Sequence, residues 1–106
     1  MSSENIVYIT QNNRKNYSSA HSFGEPTFIT SNEYDSIGNS NVNDEIMSEI
    51  RDMVANYDNS RDYILLSGDP IVIALVVHAA LSRHESIRVL KWDAQERIYI
   101  PITLTY

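Results

Sequence analysis

Three groups of residues carry side chains from which a site could be built. The first is Ser67-Gly68-Asp69-Pro70, set between an apolar run and an apolar helix pattern. In doubly wound α/β folds such a strand-to-helix turn offers free backbone N–H groups to a phosphate. Here the turn has one glycine and no lysine, and Asp69 puts negative charge where the anion would rest. A dinucleotide fingerprint and a phosphate loop are therefore both absent. Asp69 as N-cap and Pro70 at the first helical position account for the pair structurally. The carboxyl end of this strand remains the usual pocket position in an open α/β sheet.

The second group lies in the polar stretch 11–22. His21, among Ser18, Ser19 and Ser22, has the chemistry of a general base, but no third group to orient it is identifiable. Arg14 and Lys15 are the cations of this stretch. The third group is His78 and His84, six residues apart on one helix and so on different faces. They form no ligand set with His21, and neither a metal nor a cofactor is expected. His78 is expected to hydrogen-bond in the core or across an interface. The ligand-binding candidates are thus Ser67, Gly68, Asp69, Arg14, Lys15 and His21, with no catalytic set. Of the seven tyrosines, Tyr8, Tyr63 and Tyr99 fall on expected strands, where packing with a bonded hydroxyl is the ordinary role.

The elements that must position these residues follow from apolar periodicity. A chain of 106 residues is expected to form one domain, residues 1–106. Asn5 to Thr10 reads as a buried first strand, Gln11 to Ser22 as a loop, and Thr27 to Thr30 as a short strand. After a second turn-rich stretch, Asn43 or a neighbour caps a helix. Its stripe is Ile46, Met47, Ile50, Met53, Val54 and Tyr57, with Glu45, Glu49 and Asp52 on the other side. Tyr63-Ile-Leu-Leu66 is continuous, as in a central strand buried on both faces. A helix from Pro70 to about His84 returns to a strand over Ile87–Trp92. Asp93 to Glu96 then turns into a last strand alternating Ile98, Ile100, Ile102, Leu104 against Tyr99, Pro101, Thr103, Thr105. Pro101 marks an edge. The fold class is α/β: a five-stranded mixed sheet with two helices, in the order β-β-α-β-α-β-β, closing on a C-terminal hairpin.

Composition narrows the partners. The net charge is −6, and residues 33–62 carry all of the surplus, with eight acids against Arg51 and Arg61. Direct nucleic-acid binding is not expected, because phosphate contacts need concentrated Lys and Arg. The acidic stretch reads as a solvated helix face that could dock a basic partner. With no cysteine there are no disulfides or thiolate metal sites. Met1-Ser2-Ser3-Glu4 lacks the basic start of a signal peptide, and Ile71–Val77 is too short an apolar run to span a bilayer. A soluble intracellular protein without a membrane partner is expected.

The helix from Pro70 is apolar nearly all round, His78 excepted. One sheet covers only one side of such a helix, so its other side calls for the acidic helix, a loop or a second subunit. A homodimer or higher homo-oligomer is expected, with Ile71, Leu75, His78 and Tyr99 at the interface.

The Tyr17-Ser-Ser-Ala20 and Phe23-Gly24 loop, Tyr63-Ile-Leu-Leu-Ser-Gly-Asp-Pro70, and Leu90-Lys-Trp-Asp93 followed by Tyr99 and Pro101 give the chain a resemblance. It resembles small uncharacterised α/β proteins of tailed bacteriophages. The resemblance implies a viral origin and the host cytoplasm as location, and implies no catalytic residue. The function expected is a non-enzymatic phage accessory protein, an oligomeric binding module for a host protein or small ligand. The alternatives are a nucleotide-binding protein, or cyclic-nucleotide nuclease or sponge, with its site between subunits, and a minor virion component.

Overall fold

The structure, a computed structural model, describes residues 5–38 and 41–106. The reading of Met1 to Glu4 lies outside the described residues, as do Asn39 and Ser40 of the second polar stretch. Five strands and two helices follow one another as β1 (Ile6–Ile9), β2 (Glu25–Phe28), α1 (Val42–Asn56), β3 (Tyr63–Leu65), α2 (Pro70–Leu81), β4 (Ser86–Asp93) and β5 (Ile98–Thr105). The sheet order is β2-β1-β3-β4-β5, parallel except for the final β4–β5 hairpin. The expected α/β class, element order and hairpin are all present. The continuous apolar run becomes the middle strand β3, where both faces need covering.

The two faces are covered differently. Ile46, Ile50, Met53 and Val54 of α1 and Val72, Val76 and Ala80 of α2 pack on Tyr8, Ile64, Ile87 and Val89. The opposite face holds Val7, Ile9, Leu65, Leu90 and Tyr99. Its cover is the 11–24 stretch, with residues 11–22 expected to be a plain loop; it winds a 3-10 helix over Ser18–Ser22 and buries Tyr17 and Ala20. The β1-to-β2 connection thus runs on one face, and both helical connections run on the other. Outgoing chains therefore diverge between β1 and β3, the arrangement that opens a crevice at the carboxyl ends of the strands.

Local boundaries depart from the periodicity where polar chemistry intervenes. β2 begins at Glu25, ahead of the expected Thr27, because Glu25 N already donates to Asn5 O at 2.8 Å. The N-cap of α1 is Asn41 rather than Asn43, and it makes no side-chain cap bond. The Asn43 amide is engaged instead with Asp35, accepting from its N at 2.7 Å and donating to its O at 2.9 Å. The α2 helix stops at Leu81, short of His84. Asp69 caps it as expected, accepting from Ile71 N at 2.8 Å with Pro70 in the first turn. Asp62, fully buried, ties β1 to the α1–β3 connection by accepting from Ile6 N and Asp58 N, each at 3.0 Å.

Each edge of the sheet carries one proline that faces outward. Glu25 and Ile29 turn their N–H groups toward β1, so Pro26, between them, faces outward. Leu90 turns its carbonyl toward Leu66, just past the end of β3, so Pro101, opposite Leu90, also faces outward. Each edge strand therefore lacks one outward donor, a recognised defence against strand addition.

Candidate functional site

The strand exits at the divergence point are bolted together. Thr10 Oγ1 donates to Ser67 O at 2.5 Å and accepts from Ser67 N at 2.8 Å. Gln11 Oε1 accepts from Asp69 N at 2.6 Å, while Gln11 Nε2 donates to Asn32 O at 2.8 Å. Gly68, at φ 93°, packs directly on this glutamine: a Cβ there would meet Gln11 Oε1 at 2.1 Å and Gln11 Cβ at 2.7 Å. The N–H groups of Ser67, Asp69 and Ile71 are consumed by the protein itself. The turn that could have cradled a phosphate is thus a structural clasp between β1 and β3.

Beside the clasp, on the face opposite the helices, opens a crevice of about 240 Å³ lined by Lys15, Asn16, Leu65, Leu66, Ser67, Trp92 and Tyr99. Each wall has a cause. Trp92 and Tyr99 are cross-strand partners at the mouth of the β4–β5 hairpin, with rings edge to face at 4.9 Å. The hairpin is held by Asp93, whose Oδ1 accepts from Gln95 N and Glu96 N and whose O accepts from Arg97 N. The opposing wall is the 11–24 stretch, anchored through the Tyr17 hydroxyl. That hydroxyl meets Ser67 Oγ at 2.8 Å and accepts from Asn13 N at 2.9 Å. Lys15 and Asn16 are thereby held over the carboxyl end of β3.

Charge and protonation in the crevice favour an electron-rich guest. Neither the Lys15 ammonium nor the Tyr99 hydroxyl bonds to any described residue. Burial, with a smaller contribution from nearby Tyr17, pushes the Tyr99 hydroxyl above the usual tyrosine value, so it stays protonated and able to donate. Trp92 is 40% exposed and presents a ring surface beside both donors.

The residues singled out in the sequence are only partly brought together. Lys15 and Ser67 line the crevice, and Gly68 and Asp69 stand behind it in the clasp and cap. Arg14, at φ 56°, is exposed next to Lys15 but does not line the crevice, and neither does His21 at the end of the 3-10 helix. Of the four interface candidates, Ile71 and His78 are exposed on α2, and Leu75 is half-buried among the helices. Tyr99 is buried on the opposite face of the sheet, so it shares no surface with them. Asn16, Gln11 and Trp92 were not singled out. Trp92 was within reach, since the turn at Asp93–Glu96 sets it across from Tyr99; Gln11 carried no such signal. On α1, Asp44, Glu45 and Asp52 face solvent, while Glu49 accepts from Thr30 Oγ1 at 2.8 Å. Among the described residues no cluster of His, Asp and Glu could hold a metal ion, and no helix is long and apolar enough to cross a membrane.

Residues 5–106 match the family described as Phage Pam3 gp32-like protein, nearly the whole chain. The chain belongs to this phage protein family. The match takes in the clasp, the crevice and both helices together. No curated protein and no solved structure matches the chain.

Proposed function

We propose that this phage protein is a small-ligand binding module whose site is the crevice beside the β1–β3 clasp. The carrying observation is the pairing of two unengaged donors, Lys15 and Tyr99, with the ring of Trp92 in one concavity. At about 240 Å³ the crevice is smaller than the ~300–1,000 Å³ of drug-sized pockets. That size suits a single planar ring system bearing one anionic or strongly accepting group, such as a nucleobase with its phosphate left outside. The ring would lie against Trp92, and the acceptor would meet Lys15 and Tyr99. Binding rather than turnover fits the groups in reach: Ser67 Oγ is engaged by a tyrosine hydroxyl and not by a base. Location at the carboxyl ends of parallel strands supports the same reading.

Trp92 is the only tryptophan of the chain, so its fluorescence reports on the site directly. Titration with purine mononucleotides, cyclic mononucleotides and aromatic carboxylates should produce saturable quenching for at least one class. At a hundredfold excess over Kd that ligand should stabilise the fold by about 2.7 kcal/mol. Lys15→Ala should weaken binding about tenfold, or about 1.4 kcal/mol, while Arg14→Ala should leave it within twofold. A flat fluorescence response and an unmoved Tm with all three classes at millimolar concentration would remove the reading.

A further inference from the structure

The helix face of the sheet is left unfinished. The α2 helix contains no charged residue from Pro70 to Leu81, and Ile71, Ala74 and His78 point away from the sheet. Beyond α2, toward β5, the described residues form no further helix. Ile98, Ile100 and Ile102 of β5 are 51%, 36% and 37% exposed, although they lie on the same side as Leu104, which packs with the helices. A groove of about 530 Å³ runs beside α2, lined by Ala74, Val77, His78, Leu81, Ser82 and Tyr106. The surface is therefore a ridge one helix wide next to a shelf where a further helix would fit.

We infer that this face joins two copies of the chain about a two-fold axis, the α2 of each copy resting on the β5 shelf of the other. Ridge and shelf are the two complementary halves of an isologous contact, in which one patch serves both partners. The layers become sheet, shared helices, sheet, and both isoleucine rows are buried. Pairing of two copies through their edge strands is disfavoured instead, because Pro26 and Pro101 each remove an outward donor.

Charge selects a second copy over a basic partner. The acids of residues 33–62 repel a like chain, and a cation would be drawn to them. On the α2–β5 face, by contrast, the flanking charges balance: Lys91 beside Ile100 and Asp93 beside Ile98 at the hairpin end, and the exposed Arg83 and Glu85 beyond the end of α2. This neutral face lets two copies of net charge −6 meet without opposing their acids.

Area permits it too. An eight-residue strand is about 27 Å long, and ridge plus shelf span about two helix diameters, roughly 20 Å. The projected patch is about 540 Å² per copy, so the pair buries at least ~1,000 Å², where specific interfaces begin. The crevice is on the other face of the sheet, so this inference stands or falls independently of the ligand.

Light scattering on the full chain at roughly 100 µM, above the micromolar range for an interface of modest area, should give about twice the 12.1 kDa chain mass. Ile100→Asp and Ala74→Glu, both at exposed positions, should each return the monomer mass with an unchanged circular dichroism spectrum. Ile37→Asp, at a site 82% exposed in the second polar stretch, should remain dimeric. A parent chain that scatters as a monomer overturns the inference. So does a dimer that survives both Ile100→Asp and Ala74→Glu.

Discussion

Gly68→Ala tests the clasp from which the site is built. Its cost has two parts. A Cβ at φ 93° costs about 1–2 kcal/mol of backbone strain. The same Cβ would lie 2.1 Å from Gln11 Oε1 and 2.7 Å from Gln11 Cβ. Rotating the amide away relieves the first contact but not the second, because Gln11 Cβ is fixed to its backbone. The glutamine must then release Asp69 N and Asn32 O, at about 1 kcal/mol for each bond. The total is about 3–4 kcal/mol. At about 2.1 cal/mol/K of unfolding entropy per residue, a 106-residue chain loses about 4–5 °C per kcal/mol, so Tm should fall by about 15 °C. Gly38→Ala is the internal control: φ is 82°, but no atom lies within 4 Å of the new Cβ. It should lose strain energy alone, about 1–2 kcal/mol. Differential scanning calorimetry of both variants gives the comparison. Adding Gln11→Ala to Gly68→Ala should cost less than the sum of the single changes, since both break the same contacts. Equal Tm losses for Gly68→Ala and Gly38→Ala, or strict additivity with Gln11→Ala, would refute the clasp.

Asp62→Ala should destabilise by about 1–3 kcal/mol in urea titration, because the part-buried backbone N–H groups of Ile6 and Asp58 both lose the buried carboxylate that accepts from them. Tyr17→Phe should cost about 1–2 kcal/mol and free the Lys15 wall, seen as faster amide exchange across residues 12–17. Burial holds Tyr8, Tyr57 and Tyr99 above the ordinary value of 10.0. A folded pKa raised above the unfolded one contributes stability that is complete below about pH 10 and is lost as pH rises through the folded values. Tyrosine ionisation should therefore not lower Tm below pH 10 but should do so above it, and a phenolate titration should find these three ionising above the ordinary tyrosine value. Arg97→Gly should raise stability by up to about 1 kcal/mol, because Arg97 holds φ 59° in the hairpin turn without the freedom of glycine.

The order of elements was legible because it rests on local patterns. Alternation in β5, the continuous run of β3, the stripe of α1 and the Asp69-Pro70 start of α2 each need only neighbouring residues to be read. Pro101 even marked the edge, since a missing donor has one meaning wherever the strand lies. The 11–24 stretch was opaque for the opposite reason. Its apolar residues Tyr17, Ala20 and Phe23 are too sparse for a period, and they gain meaning only against β-strand faces brought in from elsewhere.

The sequence by itself determined the fold class, the Asp69-Pro70 start of α2, the placement of acid in the middle third and the unusual neutrality of α2. The tertiary structure decided the rest: that Ser67 and Asp69 spend their N–H groups on Thr10 and Gln11, and that Lys15 faces Trp92 and Tyr99. It also put Tyr99 on the face away from Ile71. The physical reason is range. Propensity, capping and periodicity act over a few residues, whereas a crevice or clasp depends on which strands become neighbours and which face each connection covers.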